Sequence, residues 1–200
     1  MTTQYSPVIM LAIVQLSKES IIGAAVSILS EFGLSDMTMR RVAKQLNVAP
    51  GALYWHFKNK QELIDATSRY LLAPVLGRND EQRASISAQE TCAEMRSLMM
   101  QTKDGAEVIS AALSNQQLRQ ELESLISDSL KEPNEVGAFT LLHFVVGAVL
   151  TEQTQLQMHE FTAGAGDDTQ ENPADANFEE RFNQGIEIIL VGLDALGHIR

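Results

Sequence analysis

The stretch LNVAPGALYWHFKNKQEL, residues 46–63, sets Tyr54, Trp55 and His56 side by side, after a Pro–Gly pair and before a Lys–Asn–Lys segment. Successive positions of a helix point about 100° apart, so three consecutive rings cannot all face one core. At least one of these rings is therefore expected to face solvent or a partner. The chain as a whole is acidic, with a formal net charge of -11. An exposed aromatic and basic segment in an acidic protein indicates a binding surface.

The charge is unevenly distributed along the 200 residues. Residues 1–76 hold seven Lys/Arg and five Asp/Glu, whereas residues 77–200 hold eight Lys/Arg and 21 Asp/Glu. Only the N-terminal third can therefore approach a polyanion without strong repulsion, which suggests two modules with different partners. The single cysteine, Cys92, excludes an internal disulfide and a Cys-based zinc site. It favours a reducing cytoplasm.

The N-terminal apolar run, residues 8–16, lacks a preceding basic residue and a small-residue cleavage pattern, so it does not resemble a secretory signal. It is also too short to span a bilayer. We therefore expect a cytoplasmic protein with no membrane partner, in which residues 1–16 form an N-terminal extension.

Apolar residues recur at three- and four-residue spacing through nearly the whole chain, and strand signals are scarce, so an all-α fold is expected. Ser17, Thr38 and Asn59 are predicted to cap helices, and Pro50 is predicted to open a very short one. The predicted helical segments are 17–32, 38–46, 50–57, 59–73, 88–101, 104–113, 115–131, 134–159 and 178–197. Segments 77–87 and 162–177 are polar and are expected to be loops.

Two short helices joined by the turn at residues 47–49, and braced by a longer first helix, predict a helix-turn-helix unit. The second short helix of such a unit enters the major groove of DNA. Its small first residues allow close approach to bases, and Leu53 and Phe57, four residues apart, are expected to anchor it in the core. The donors of this unit suit phosphates and base edges. The predicted DNA-contacting residues are Thr38, Arg40, Pro50, Gly51, Ala52, Tyr54, Trp55, His56 and Lys60.

The segment FGLSDMTMRRVAKQLNVAPGALYWHFKNKQELIDA, residues 32–66, resembles the DNA-binding domain of the tetracycline repressor (TetR) family. It carries the pattern T-x-R-x-x-A…L-x-V…L-Y-x-H-F-x-x-K-x-x-L. The resemblance implies a DNA-binding domain over residues 17–76 and a helical ligand-binding and dimerisation domain over residues 77–200. One departure is Ala49, which stands where the family often has Ser or Thr, so that the recognition helix lacks one cap bond worth about 1 kcal/mol.

Three further segments are similar to the tetracycline repressor branch: KDGAEV (103–108), LHFVVGAVLTEQ (142–153) and GIEIILVGLDAL (185–196). In that fold the last two long helices of each subunit form a four-helix bundle across a two-fold axis. Apolar residues on more than one face of both helices independently favour a homodimer through residues near 134–159 and 178–197. Gly147 and Gly192 are expected to permit close helix approach. Such a dimer would read a palindromic operator.

The resemblance argues against a magnesium–tetracycline site. It puts Leu76, Thr91, Ile109, Ala112 and Leu125 at polar ligand-binding positions of that branch. Leucine and isoleucine cannot ligate Mg²⁺, which demands oxygen donors. Thr151 falls at an acidic position of that branch, and Glu152 lies one residue late. We expect no metal and no cofactor, and a pocket for a small hydrophobic effector. The predicted lining is Leu76, Met95, Met99, Ile109, Leu125, His143 and Val146.

Several interpretations remain open at this point. The pocket residues can be plain core residues, and His143 can be structural rather than a ligand contact. The regulator can be a repressor released by its effector, a ligand-independent regulator or an activator, or the unit can be a helical interaction module that does not bind DNA. The sequence has no nucleophile motif, nucleotide-binding loop or His/Cys ligand spacing, so we do not expect an enzyme.

Overall fold

The computed structural model describes residues 16–164 and 177–197, and within these ranges every regular element is a helix. The eleven helices in this part of the chain are α1 (Lys18–Phe32), α2 (Met39–Gln45), α3 (Pro50–Leu53), α4 (Lys60–Leu71), α5 (Ala73–Leu76), α6 (Asp80–Ser85), α7 (Ala88–Met100), α8 (Gly105–Ala112), α9 (Gln116–Asp128), α10 (Glu135–Gly164) and α11 (Phe178–Gly197). The prediction of an all-α fold is confirmed.

Local capping explains where the N-terminal helices begin. The side chains of Ser17, Thr38 and Asn59 each accept a hydrogen bond from the backbone N–H three residues further on. These bonds satisfy N–H groups that have no partner inside the helix. α1 ends at Phe32 and is followed by its C-cap residue Gly33, whose φ of 87° is a value that residues with a Cβ rarely adopt. The predicted starts of α1, α2 and α4 are therefore confirmed.

Three helices of the described ranges end at least two residues earlier than predicted. α3 ends at Leu53, and a hydrogen-bonded turn rather than a helix continues to Phe57. α4 ends at Leu71 rather than at residue 73, and α9 ends at Asp128 rather than at residue 131. Pro74 lies in the first turn of α5, where its missing N–H costs no hydrogen bond.

The two predicted loops also differ from the structure. Segment 77–87 contains α6, because Asn79 and Gln82 form a reciprocal capping box that starts a helix in a polar segment. α10 extends to Gly164, five residues beyond its predicted end at 159. The rest of the predicted loop, residues 165–176, lies outside the described residues, as do residues 1–15 of the predicted N-terminal extension.

A single hydrophobic core runs from α1 to α11. α10 is its central element and packs against α7, α8, α9 and α11, while α4 packs against α8. By length and composition alone, α10 is also the one helix of the described ranges that could cross a membrane. In the fold the apolar residues on one side of α10 belong to the core of the subunit.

α10 carries apolar residues on more than one face, as expected, but the exposed ones are not the six residues that led to the inference. Those at 141, 142, 145, 146 and 149 are buried inside their own subunit and Leu150 is half-buried, whereas Val136, Phe139, Met158 and Phe161 are exposed. The glycines that permit close approach of α10 and α11 within the subunit are Gly137 and Gly185, where an added Cβ would overlap the side chains of Leu193 and Phe144, respectively. A Cβ added at Gly147 or Gly192 would meet nothing within 4 Å, so these two glycines face open space.

Candidate DNA-binding surface

Two buried residues hold the exposed aromatic segment in place. Leu53 is fully buried and Phe57 nearly so, and the backbone N–H of Phe57 donates to the Leu53 carbonyl at 2.9 Å. The chain reaches this segment through a turn in which Asn47 has a left-handed φ of 55°, a conformation that asparagine tolerates. Ala49 forms no side-chain cap on α3. The anchoring of the segment therefore depends on packing rather than on a cap.

Two of the three side chains between these anchors, those of Tyr54 and Trp55, face solvent. Trp55 is 90 % exposed and Tyr54 is 52 % exposed. Ala52 and His56 are half-buried. Burying Leu53 and Phe57 turns the intervening residues outward, as the adjacency of three aromatic rings requires.

The remaining predicted contacts lie on the neighbouring elements. Thr38, Arg40, Pro50 and Gly51 are exposed, and α2 packs directly against α3. Lys60 is half-buried, and its Nζ donates to the Leu34 carbonyl oxygen at 3.3 Å. We call the exposed side of α2, α3, the turn at residues 54–57 and the first turn of α4 the α2–α3 surface. The structure brings all nine predicted residues onto or beside this surface.

The two adjacent arginines of α2 differ in what they contact. Arg41 pairs with Asp36, and its guanidinium carbon lies 3.8 Å from the centre of the Phe32 ring. Arg40 is exposed and forms no ion pair with any residue of the 16–164 and 177–197 ranges. Arg40 is thus available to an external anion, whereas Arg41 stabilises the end of α1.

Three further cations lie near this surface and were not among the predicted contacts. Lys44 and Lys58 are exposed, and the Nζ of Lys18 lies 5.8 Å from the centre of the Phe57 ring. Lys44 and Lys58 could have been identified from the sequence, because both contribute to the excess of basic residues in the first 76 positions. Lys18 is distant in sequence and reaches this surface only because α1 packs beside the turn that ends at Phe57.

The predicted pocket residues fall into two groups. Five of them, all in the core, are at most 5 % exposed: Met95, Met99, Ile109, Leu125 and Val146. Leu76 is half-buried and packs against the same core. Whether these six residues enclose space for a ligand stays a prediction.

The inclusion of His143 in this pocket is wrong for the subunit. His143 is on the exposed face of α10, with its Nδ1 2.8 Å from the Phe139 carbonyl oxygen. The centres of the His143 and Phe139 rings are 4.1 Å apart. The helical register explains the error, because Leu142 and Val146 point inward and His143 therefore points outward.

A largely buried ion pair joins α7 and α10, the helices that carry Met95, Met99 and Val146 of the predicted pocket. Glu152 accepts two hydrogen bonds from Arg96, at 3.0 and 2.6 Å, and joins α10 to α7. The guanidinium carbon of Arg96 is 5.6 Å from the centre of the Phe182 ring on α11. Thr151 lies on the exposed face, and its hydroxyl donates to the Gly147 carbonyl at 2.9 Å. Glu152, the acidic residue next to Thr151 on α10, therefore binds Arg96 of its own subunit.

Cys92 is fully buried on α7, and burial raises the pKa of its thiol to about 12. Burial disfavours the thiolate, which is the reactive form. We expect native protein at pH 8 to leave a disulfide reagent such as DTNB unreacted, and guanidinium-unfolded protein to release one equivalent. Stoichiometric reaction of the native protein within minutes would contradict this assignment.

Comparison with known proteins agrees with this geometry. Residues 21–67 match the family model described as bacterial regulatory proteins, tetR family. The chain is 29% identical over 202 residues to the class A tetracycline repressor from transposon 1721 of Escherichia coli, covering 90% of this chain and 91% of that protein. It is 31% identical over 148 residues to the class C repressor of Escherichia coli, covering 70% and 67%, respectively.

Solved structures extend the similarity to the whole fold. BioQ of Mycobacterium smegmatis has a TM-score of 0.73 and 30% identity, and the match covers 90% of this chain and 99% of that one. BioQ with its double-stranded DNA operator has a TM-score of 0.67 and 29% identity, with the same coverage. The identity, the coverage and the exposed recognition unit lead to one conclusion: the chain belongs to the TetR family of transcriptional regulators.

Proposed function

We propose that this regulator is a repressor that binds a palindromic operator as a homodimer and is released by a small, largely hydrophobic effector. Residues 17–76 would form the DNA-binding domain, and residues 77–200 the ligand-binding and dimerisation domain. The nine predicted contacts, from Thr38 to Lys60, would meet the DNA. The protein would act in the cytoplasm, where its operator is found.

The observation that carries this proposal is the exposure of Trp55. A fully solvated indole beside an exposed tyrosine leaves a large aromatic surface in water, which is unfavourable without a partner. Arg40 and Lys44 on α2 and Lys58, three residues after Trp55, are exposed, whereas most of the acidic residues lie after residue 76. A basic and aromatic surface formed by two short helices and the turn that follows them suits the major groove, where phosphates flank the base edges.

The second copy would cover the exposed apolar side of α10 and α11. Ile188, Val191 and Leu196 on α11 are 72 %, 60 % and 64 % exposed. Gly147 and Gly192, which meet nothing within the subunit, allow a partner helix to approach closely. Burying these side chains against their symmetry mates would remove apolar surface from water at a gain of about 25 cal/mol per Å².

The effector signal would travel through α4, which joins the two regions. Ser68 donates to the Val108 carbonyl of α8 at 3.2 Å, and Gln61 donates to the Ala111 carbonyl at 3.1 Å. Arg69 binds both carboxylate oxygens of Glu121 on α9, and this hydrogen-bonded pair lowers the pKa of Glu121 and raises that of Arg69. A ligand that displaces α8 or α9 would therefore tilt α4 and the α2–α3 surface with it.

Salt-dependent binding tests the DNA proposal directly. Duplexes would be selected from a randomised pool with the wild-type protein, and their affinity measured by fluorescence anisotropy at several salt concentrations. Arg40→Ala should weaken binding and reduce the salt slope by about two for the dimer, since each subunit then neutralises one phosphate fewer. Arg119→Ala, on the distant α9, is the matched control and should leave the slope unchanged.

The proposal fails if the wild-type protein selects no duplex at low salt. If the salt dependence of DNA binding by Arg40→Ala equals that of the wild type, Arg40 does not contact the DNA.

A further inference from the structure

Asp104 joins the end of α1 to α10 through both of its carboxylate oxygens. Its Oδ2 accepts a hydrogen bond from the Leu34 N–H at 2.8 Å. Its Oδ1 accepts a hydrogen bond from Nε2 of Gln157 at 2.7 Å. One side chain in the α7–α8 connection thus bridges a residue next to the α2–α3 surface and a residue of the central helix.

The backbone is arranged for this bridge at a conformational cost. Asp104 precedes α8 in the N-cap position but forms no side-chain cap on it, and its φ of 54° is left-handed. The opposite side of the bridge is Gly33, where an added Cβ would overlap Oδ2 of Asp104. Asp104 adopts an unfavourable backbone conformation, and Gly33 adopts one that favours glycine. Together these two conformations allow the Asp104 carboxylate to reach the Leu34 amide.

The Asp104 side of the bridge is rigidly attached to α10. Gln153 donates from Nε2 to the carbonyls of Met99 and Thr102, at 3.2 and 2.9 Å, and accepts from the Ala106 N–H at 2.9 Å. This buried amide fastens the connection between α7 and α8 on both sides of Asp104. Displacement of Asp104 relative to α10 would therefore break buried hydrogen bonds.

The other side of the bridge reaches the proposed DNA contacts. The N–H of Leu34 donates to Asp104. The carbonyl oxygen of Leu34 accepts a hydrogen bond from the Nζ of Lys60 at 3.3 Å. Lys60 is the first residue of α4 and one of the nine proposed DNA contacts. A continuous set of hydrogen bonds therefore runs from Lys60 through Leu34 and Asp104 to Gln157.

We propose that Asp104 is a positioning residue that clamps α1, α2 and α3 at one orientation relative to α10, and so sets the half-site spacing that the dimer accepts. The spacing claim depends on the proposed operator binding, whereas the clamp itself does not. In a dimer built on α10 and α11, the orientation of each recognition unit relative to α10 determines the distance between the two units. If that orientation is loosened, the dimer should bind operators of several half-site spacings with nearly equal affinity. Its affinity for each operator should also fall, because the two DNA-binding units must then be ordered on binding.

Asp104→Gly tests the clamp, because glycine adopts the left-handed conformation without strain and carries no carboxylate. Amide hydrogen exchange without DNA should show the Leu34 N–H exchanging at least ~10-fold faster, with protection in α9 and α10 unchanged. The second measurement uses the selected palindrome with its half-site spacing changed by one base pair, a shift of about 3.4 Å. The wild type should discriminate between these duplexes by about 10-fold or more, and the variant by about threefold or less.

Gln157→Ala removes only the hydrogen bond on the α10 side and leaves the backbone at Asp104 unaltered. It should reproduce the flattened spacing profile in weaker form. Asp104→Asn keeps an acceptor for the Leu34 N–H and should restore most of the spacing discrimination. Equal protection of the Leu34 amide in wild type and Asp104→Gly, or an unchanged spacing profile in both Asp104→Gly and Gln157→Ala, would overturn the proposal. If the wild type selects no duplex, the spacing claim fails with the proposed function, and the exchange of the Leu34 amide alone decides the clamp.

Discussion

Trp55→Ala is expected to abolish tight operator binding while leaving the fold intact. Removing the indole from the DNA interface of each half-site costs about 1–2 kcal/mol per subunit, so the affinity of the dimer falls roughly 30- to 700-fold. The free energy of unfolding should stay within about 0.5 kcal/mol of the wild type, since the substituted side chain is almost entirely solvated. Anisotropy with the selected duplex and calorimetric unfolding measure the two quantities.

Tyr70→Ala provides the matched control for this experiment. Tyr70 is also an exposed aromatic residue, 57 % accessible, but it lies near the end of α4, away from the α2–α3 surface. Its removal should leave operator affinity within about twofold of the wild type, as for surface substitutions outside an interface. Equal decreases in the two variants would indicate a general aromatic effect rather than a DNA contact at Trp55.

Glu152→Ala is expected to have the largest effect on stability. It leaves the guanidinium of Arg96, whose side chain is 18 % exposed, without its carboxylate, and breaking a largely buried pair in this way costs about 3 kcal/mol, rising to about 5 kcal/mol for a fully buried pair. For a chain of this size the thermal midpoint should fall by roughly 6–20 °C. The comparison must be made at equal protein concentration, because dimerisation would make the midpoint depend on concentration.

The double variant Arg96→Met with Glu152→Leu separates the cost of an orphaned charge from the value of the pair. Apolar replacement of both partners should return stability to within about 1 kcal/mol of the wild type, or above it. Methionine at position 96 can keep a contact with the Phe182 ring. A double variant as unstable as Glu152→Ala would mean that the ion pair itself stabilises the fold.

Much of the N-terminal region was predictable because its determinants are local. A capping side chain and the N–H that it binds are three residues apart, so Ser17, Thr38 and Asn59 could be identified from spacing alone. Helical geometry predicted that at least one of the three adjacent rings faces outward, and the structure shows that Trp55 is the most exposed of them. The resemblance over residues 32–66 then supplied a function that agrees with this geometry.

Other features were mispredicted where two local signals compete. The polar composition of residues 77–87 favoured a loop, but the capping box at Asn79 and Gln82 started α6. The predicted end of α4 at residue 73 lies inside the next helix, because Pro74 is suited to the first turn of α5. His143 was assigned to a pocket from its apolar neighbours, and only the register of α10 against the core reveals that it faces outward.

The sequence by itself determined the helical class, the helix starts and the exposed recognition segment, because periodicity and capping act within a few residues. Only the tertiary structure decided which polar side chains meet across the fold. Arg96 finds Glu152, and Asp104 finds Leu34 and Gln157, over separations of more than 50 residues. No spacing rule relates such pairs, since their approach depends on how α1, α7 and α10 pack around one core. The α2–α3 surface was therefore visible in the sequence, whereas the clamp that we propose holds it to the rest of the protein was not.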